Sequence, residues 1–400
     1  MAFLDSAGQE RLEQYFAGIG RVLGNKSRRG SFAMYAMGLM GDGERKSVEP
    51  IAARACPDPA RVDAVHQRLL HFTNADWSDG DVRREAARYG LAAMTEGEPV
   101  VAWILDDTGF LKQGKHSVGV QRQYTGSAGK VTNCQIGVSL TVATATEQLP
   151  IDFELYLPKS WLTDASRRAE ARMPDELEFK TKPELALEMV RRAVRDEVPS
   201  GIVLADSAYG SSTDFRQALR EMGLQYAVGV VPQTTVFPVP DGAGSDCTQV
   251  SVKDLALQLH AQGAFRRCTW REGTKEDLSA RFARRRVLAC SDPREELWLL
   301  IEWRDGEAEP ANYFLATLPK ANSIKQMLRI VMQRWRIERS YEDLKGELGL
   351  DHYEGRRFLG WHHHVSVALC CYAFIVAERV RRFPPSAGGS QEARAKPRAA

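Results

Sequence analysis

Val100-Val101-Ala102-Trp103-Ile104-Leu105-Asp106-Asp107-Thr108-Gly109 is the stretch whose reading decides the fold. Six apolar residues follow Pro99 and run into two carboxylates, which predicts a buried strand finishing in Asp. Such an ending is tolerable only where water, a cation or hydrogen-bond donors hold the carboxylate, so the pair is expected at the end of a sheet. Side chains alternate across a strand, so Asp106 and Asp107 point to opposite faces and only one can look into a given site. A second run of this kind is Gly201-Ile202-Val203-Leu204-Ala205-Asp206, turned by Ser207-Ala208-Tyr209-Gly210. It sits between a predicted helix from Lys182 to about Arg195 and another from Thr213 to Met222, with a further apolar strand at Tyr226 to Val231. That alternation is the signature of a parallel layer, and ligands gather at the carboxyl ends of its strands.

Outward from these strands the chain divides by pattern. Residues 1–95 read as helices. Asp58-Pro59 and Ser78 supply start signals, and Val62, Val65, Leu69, Leu70 and Phe72 form an apolar stripe. Arg28, Arg29, Arg45, Lys46 and Arg54 leave two readings open, a helix-turn-helix-like DNA reader or a bundle with a solvated charged face. Residues 96–232 form the strand-rich first part of a core, with strands at Cys134–Thr144 and Leu149–Leu157 suggesting an antiparallel meander. The Gly- and Lys-rich segment from Gly109 to Lys130 holds Arg122 and Tyr124 near the end of the first strand. It suits either phosphate contact or a plain solvated hairpin. Residues 233–318 read as a β-rich insertion, beginning with a Pro/Gly/Asp-rich loop at Thr235–Asp246. Between Phe265 and Val287 eight Lys/Arg stand against three Asp/Glu, with Trp270 among them. Cations with an aromatic suit a phosphate backbone and an unstacked base, and also suit an edge strand blunted by charge. Residues 319–383 complete the core. The helix predicted over 321–349 aligns Arg334, Glu338 and Lys345 on one stripe, an arrangement open to simple salt bridging or to a metal-holding Glu flanked by phosphate-binding cations. His362-His363-His364 spread around a helix and cannot share one ion, which favours packing or DNA contact. The tail, residues 384–400, is Pro/Gly-rich and basic and is expected to be disordered.

Composition narrows the classes. Four hundred residues suffice for two or three domains, and 44% hydrophobic with 26% charged residues is ordinary for a globular chain. No apolar run reaches the ~20 residues that span a bilayer, and the N-terminus lacks a signal pattern. A cytoplasmic location with no membrane contact is expected. Seven scattered Cys without a C-x-x-C pair argue against a disulfide framework or a zinc site. A net charge of +2 gives no bulk attraction to nucleic acid, so any basic surface is local.

Two strands ending in Asp and a helix offering Glu are the parts an RNase H-like fold brings together: a mixed sheet flanked by helices. The residues also resemble a known family. Arg334-(3)-Glu338-(6)-Lys345 matches the R-(3)-E-(6)-K part of the Y-(2)-R-(3)-E-(6)-K signature of DDE transposases of bacterial insertion sequences. Asp106-Asp107-Thr108-Gly109-Phe110 resembles that family's first Asp motif and Ala205-Asp206-Ser207-Ala208-Tyr209-Gly210 its second. Leu155–Pro158 and Thr181–Leu185 are also similar. The resemblance spans about Glu44 to Ala373. It implies Asp107, Asp206 and Glu338 as catalytic, metal-binding residues, Asp107 being preferred because the family's catalytic Asp directly precedes Thr. It implies Arg334 and Lys345 on DNA phosphates, Trp270 on a flipped base, and Mg2+ as cofactor with Mn2+ as substitute. Arg122, Arg45 and Lys46 are further candidate DNA contacts. The signature's Tyr position holds Val331 here. The implied activity is magnesium-dependent endonuclease and strand-transferase chemistry, in DNA transposition and recombination, on double-stranded DNA (terminal inverted repeats and target) by a homodimer on paired ends. Two rivals remain: a nuclease of the same fold that cuts without joining, and a retired transposase kept as a DNA-binding protein.

Overall fold

The computed structural model describes residues 4–239, 248–271, 278–290 and 294–384, apart from the side chains of residues 270, 271 and 278. The chain begins with five helices, α1 (Ser6–Leu23), α2 (Lys26–Met40), α3 (Val48–Ala55), α4 (Val62–Asn74) and α5 (Asp79–Thr95). Asp5, Asn25 and Ser78 cap α1, α2 and α5 by accepting a backbone N–H, which satisfies donors the first turn leaves orphaned. Asp58 caps a 3-10 turn, Pro59–Arg61, that precedes α4.

The sheet then opens with β1 (Ala102–Leu111), β2 (Gln121–Thr125), β3 (Lys130–Ala143) and β4 (Gln148–Tyr156). Two short helices, α6 (Lys159–Leu162) and α7 (Ala165–Ala171), lead to α8 (Lys182–Arg195), whose capping box joins Thr181 and Glu184. Next come β5 (Ile202–Ala205), α9 (Ser207–Gly210), α10 (Thr213–Glu221) and β6 (Tyr226–Val230). β3 lies antiparallel to β1 and β4, while β1, β5 and β6 are parallel. The order β4-β3-β1-β5-β6 is thus a mixed sheet of RNase H type. β1 does not finish at its carboxylates. β3 pairs with it as far as Leu111, whereas β5 stops at Ala205 opposite Leu105. The true sheet end at Asp106 is therefore on the β5 side alone.

The region after β6 holds β7 (Thr235–Pro238), β8 (Val250–Ser251), α11 (Val252–Ala261), β9 (Arg266–Arg271), β10 (Leu278–Ala289), β11 (Glu296–Trp303) and β12 (Asn312–Ala316). β12 pairs antiparallel with β6, so these strands continue the same sheet. The expected loop at 235–246 is a strand over its first residues, and the rest of that segment, 240–246, lies outside the described residues. α11 was not legible as a helix in the pattern of alternating strands, although Ser251 caps it.

The helix expected over 321–349 is two: α12 (Ile324–Val331) and α13 (Trp335–Gly346), joined by a 3-10 turn at Met332–Arg334. Val331 and Ile337 bury themselves on either side of that turn, which lets both helices keep an apolar face on the core. Last comes α14 (Phe358–Arg382). It is long and apolar enough to cross a membrane, but 89% of its apolar window is buried within the fold. α14 packs on α5, α2, α4 and β4, so the first and last helices form one layer.

A buried ionic network ties that layer to the sheet. Arg83 of α5 pairs with Asp79, lies 3.1 Å from Asp152 and 3.7 Å from Glu154 on β4, and donates to Ser366 of α14. Arg192 of α8 closes it, 2.8 Å from Asp152 and 2.7 Å from Glu154. Burial works against the Glu154 carboxylate, but His362, Arg83 and Arg192 hold it below the usual carboxylate range. All three histidines of α14 are buried in packing positions. His363 lies between the carbonyls of Thr73 and Trp77 and stacks on Trp77. His364 joins the Tyr35 hydroxyl to the carbonyl of Gly349. Burial lowers both imidazoles to about 4.

Candidate active site

Trp103, Ile104 and Leu105 are fully buried, and Trp103 donates its indole N–H to the Pro199 carbonyl. This ties β1 to the segment that leads into β5. Because Leu105 pairs with Ala205 in parallel, Asp106 in the middle of β1 and Asp206 just past the end of β5 stand at the same level. Asp206 is held by the turn it starts, its carboxylate accepting the N–H of Ala208 at 2.8 Å. That turn lies close on β6. A Cβ at Gly210 would collide with the Gly229 carbonyl, and one at Gly229 would lie 2.9 Å from the Ser207 nitrogen.

α13 covers the face of β1 that carries Asp106, Thr108 and Phe110. Tyr341 fixes it there through a 2.7 Å bond between its hydroxyl and Ser139 of β3. Residues three, four and seven apart share a helix face, so Arg334, Glu338, Tyr341 and Lys345 look toward the strand together. Arg334 donates to Asp106 at 2.6 Å and to Glu338 at 3.2 Å. Lys345 donates to the Thr108 hydroxyl at 2.7 Å, the Gly109 carbonyl at 2.8 Å and the Ser127 hydroxyl at 3.2 Å. Burial lowers the pKa of Lys345.

The acid that shares Arg334 with Glu338 is Asp106. Asp107, the expected member, is turned by strand alternation to the opposite face. There it accepts from Lys182 of α8 at 2.9 Å and from the Tyr209 hydroxyl at 3.3 Å. The environments differ accordingly. Burial pushes the Asp106 carboxyl up to about 7; Arg334 opposes this, and Asp206 and Asp107 add to it.

These acids offer hard oxygen donors of the kind magnesium takes. Asp106, its side chain 14% exposed, lies next to a second carboxylate, an excess of negative charge that Arg334 offsets only in part, so a divalent cation fits the chemistry of the donor set. Among the described residues no three His, Cys, Asp or Glu converge closely enough to share one ion as they stand. Arg334 lies between Asp106 and Glu338, and the Glu338 side chain is 61% exposed.

The other expected residues fall in different places. Arg122 is exposed on β2. Arg45 is half exposed and paired with Glu354 at 2.7 Å. Lys46 is a correction: it is buried, and its ammonium donates to the carbonyls of Leu39 at 2.6 Å and of Glu347. It closes the ends of α2 and α13 and does not face a phosphate. Trp270 lies on β9, its side chain outside the described residues. Trp298 and Trp303 are core, Trp298 lying between the guanidinium groups of Arg284 and Arg286. Within the basic strip Arg267 pairs with Asp305, Arg286 with Glu296, and Arg284 donates to the Asn322 carbonyl; residues 272–277 of the strip lie outside the described residues. Sequence reading missed Lys182, Ser127 and Tyr341. Tyr341, three residues beyond Glu338 on the same stripe, was within reach of it.

Comparison with known proteins identifies a family. The profile of the DDE superfamily endonucleases matches residues 16–277, which covers both Asp-bearing strands and ends before α13. The chain is 29% identical over 202 residues to a protein described as the probable transposase for insertion sequence element IS701 of Microchaete diplosiphon. That match takes in 50% of this chain and 48% of the relative, so about half of each is compared.

Proposed function

The chain belongs to the DDE superfamily of endonucleases, and we propose that it is the transposase of an insertion sequence, cutting DNA at its element's ends and joining them to a target. The observation that carries this reading is that Asp106, on β1, and Asp206, at the end of the adjacent parallel β5, stand at one level under a helix that offers Glu338 beside Arg334. We assign Asp106, Asp206 and Glu338 as the acids that hold Mg2+, with Mn2+ as a substitute. When bound, a pair of such ions supplies an activated water and charge for the attacking and leaving oxygens of an in-line displacement. The chain's own residues do the rest. Glu338 turns inward from solvent. Arg334, freed from the two acids, reaches the scissile phosphate, and its planar fork suits two phosphate oxygens. Lys345, held by Thr108, Gly109 and Ser127, presents a fixed positive charge at the strand's edge. Asp107, tied to Lys182 and Tyr209, sets the tilt of β1 so that Asp106 faces the helix.

Water attack on a phosphodiester leaves a 3′-hydroxyl, and attack of that hydroxyl on a target phosphodiester completes the transfer. Arg122, Arg45 and the helices of residues 1–95 are proposed as further DNA contacts, and Trp270, on a strand at the edge of the sheet, as the side chain that receives a flipped base. Action as a homodimer on paired ends, in the cytoplasm at the nucleoid, follows from the same reading. The test is incubation of the protein with DNA flanking its gene and a target plasmid in magnesium. Cleavage at the flanking repeats with strand-transfer products is expected. Cleavage without joined products would leave a nuclease, and intact DNA would refute the proposal.

A further inference from the structure

From Thr108 to Thr146 the chain has no Asp or Glu in 39 residues, while Lys112, Lys115, Arg122 and Lys130 fall within them. In a chain of net charge +2 this is a concentrated cationic segment. It folds as the β2–β3 hairpin, and the hairpin's tip is fastened to the candidate site. Thr125 is buried with its side chain over Gly109, where a Cβ would collide with it. Ser127 lies 3.1 Å from the Thr108 hydroxyl, 3.2 Å from the Gly109 nitrogen and 3.2 Å from the Lys345 ammonium. The inner side of the hairpin is therefore fixed to the strand that carries Asp106, two residues beyond it.

The outer side is different. Strand alternation that buries Thr125 turns Arg122 and Tyr124 outward. Tyr124 is 63% exposed, and Val131, its cross-strand partner, is 54% exposed. An aromatic and a branched aliphatic side by side in water, on the face that also carries Arg122, are a poor design for a merely solvated hairpin, where charge usually blunts the surface. They suit an unpaired base, since every base has a π-face and stacking is indifferent to sequence.

We infer that Tyr124, backed by Val131, is a stacking platform for an unpaired nucleobase of the DNA beside the cleaved phosphate, with Arg122 on the adjoining phosphate. This rests on the DNA-cleaving reading above, is continuous with its site, and adds a base contact on a rigid hairpin to the phosphate contacts of Arg334 and Lys345.

The test uses the full chain, calcium in place of magnesium to prevent cutting, and a forked duplex with 2-aminopurine in its unpaired arm. Tyr124→Ser is expected to bind the fork about 5- to 100-fold more weakly and to lose the change in 2-aminopurine fluorescence. Tyr124→Trp is expected to keep both, and binding of a fully paired duplex should be unchanged in either variant. Parental binding and parental fluorescence change in Tyr124→Ser would overturn the platform. The unsubstituted protein's magnesium-dependent cleavage is measured alongside. If it cuts while Tyr124→Ser behaves as the parent, only the platform fails; if it does not cut, the DNA-cleaving reading fails as well.

Discussion

Replacing Asp106 with asparagine probes the site and the energetics of its strand together. Burial, helped by Asp206 and Asp107 and opposed by Arg334, moves the Asp106 carboxyl from 3.8 to about 7. At about 1.4 kcal/mol per pH unit this is roughly 4 kcal/mol by which ionised Asp106 disfavours the folded chain. Between the two values the folded chain holds a proton that the unfolded chain releases. The contribution to stability is therefore whole below 3.8 and is lost as pH rises through about 7. Asparagine has no charge to bury, so without metal the Asp106→Asn protein should exceed the parent by up to about 4 kcal/mol above pH ~8, and by little near pH ~4. That figure already includes the opposing pull of Arg334. The same change removes an acid from the proposed metal site, so stabilisation by manganese and DNA cleavage should both vanish. Asp107→Asn loses a partly exposed pair with Lys182, a cost of about 1 kcal/mol, and should keep cleavage within about a hundredfold, as expected of a residue acting through its neighbour. Denaturant titrations in chelator and in manganese at several pH values, with a cleavage assay on flanking DNA, read all of these. The reasoning is refuted if Asp107→Asn abolishes the manganese response and cleavage while Asp106→Asn retains both and gains no stability as pH rises.

Other predictions follow from the same contacts. Arg83→Met removes the cation among Asp79, Asp152 and Glu154, and stranding buried carboxylates should lower unfolding free energy by about 3–5 kcal/mol, seen as a lower denaturant midpoint. His363 and His364 are neutral in the fold down to about 4 but take up protons in the unfolded chain near 6.5. Each should therefore withdraw up to about 3 kcal/mol of stability as pH falls from about 6.5 to about 4. Denaturant midpoints in an Asp106→Asn background isolate this from the opposing carboxyl, and a flat acid limb would contradict it. Lys46→Met should destabilise the chain by about 1–3 kcal/mol through unsatisfied helix-end carbonyls yet leave the salt dependence of DNA binding unchanged, whereas Lys345→Met should reduce the slope of log affinity on log salt by about 1.

Much of this protein is legible locally. Period-two and period-3.6 patterns define β4, α8, β5, α10 and β6 nearly to the residue, because each buries one face and is bounded by caps or turns. The alternation of helix and strand implies parallel β1, β5 and β6, and with it the meeting of Asp106 or Asp107 with Asp206. The spacing of Arg334, Glu338 and Lys345 implies one helix face, and that face is observed. What lies beyond local pattern is which surface each element meets. Asp106 and Asp107 are equivalent on a bare strand, and only the packing of α13 on one side and α8 on the other distinguishes them. Lys46 reads as a surface cation until the ends of α2 and α13 close around its ammonium. The strands after β6 read as an insertion until β12 pairs with β6 and extends the sheet. Sequence alone determined the kinds of element and the acids at their ends, since those depend on neighbours a few residues away. The tertiary structure decided which acid faces the helix and which cations stay free, because burial and pairing are set largely by residues tens to hundreds of positions distant.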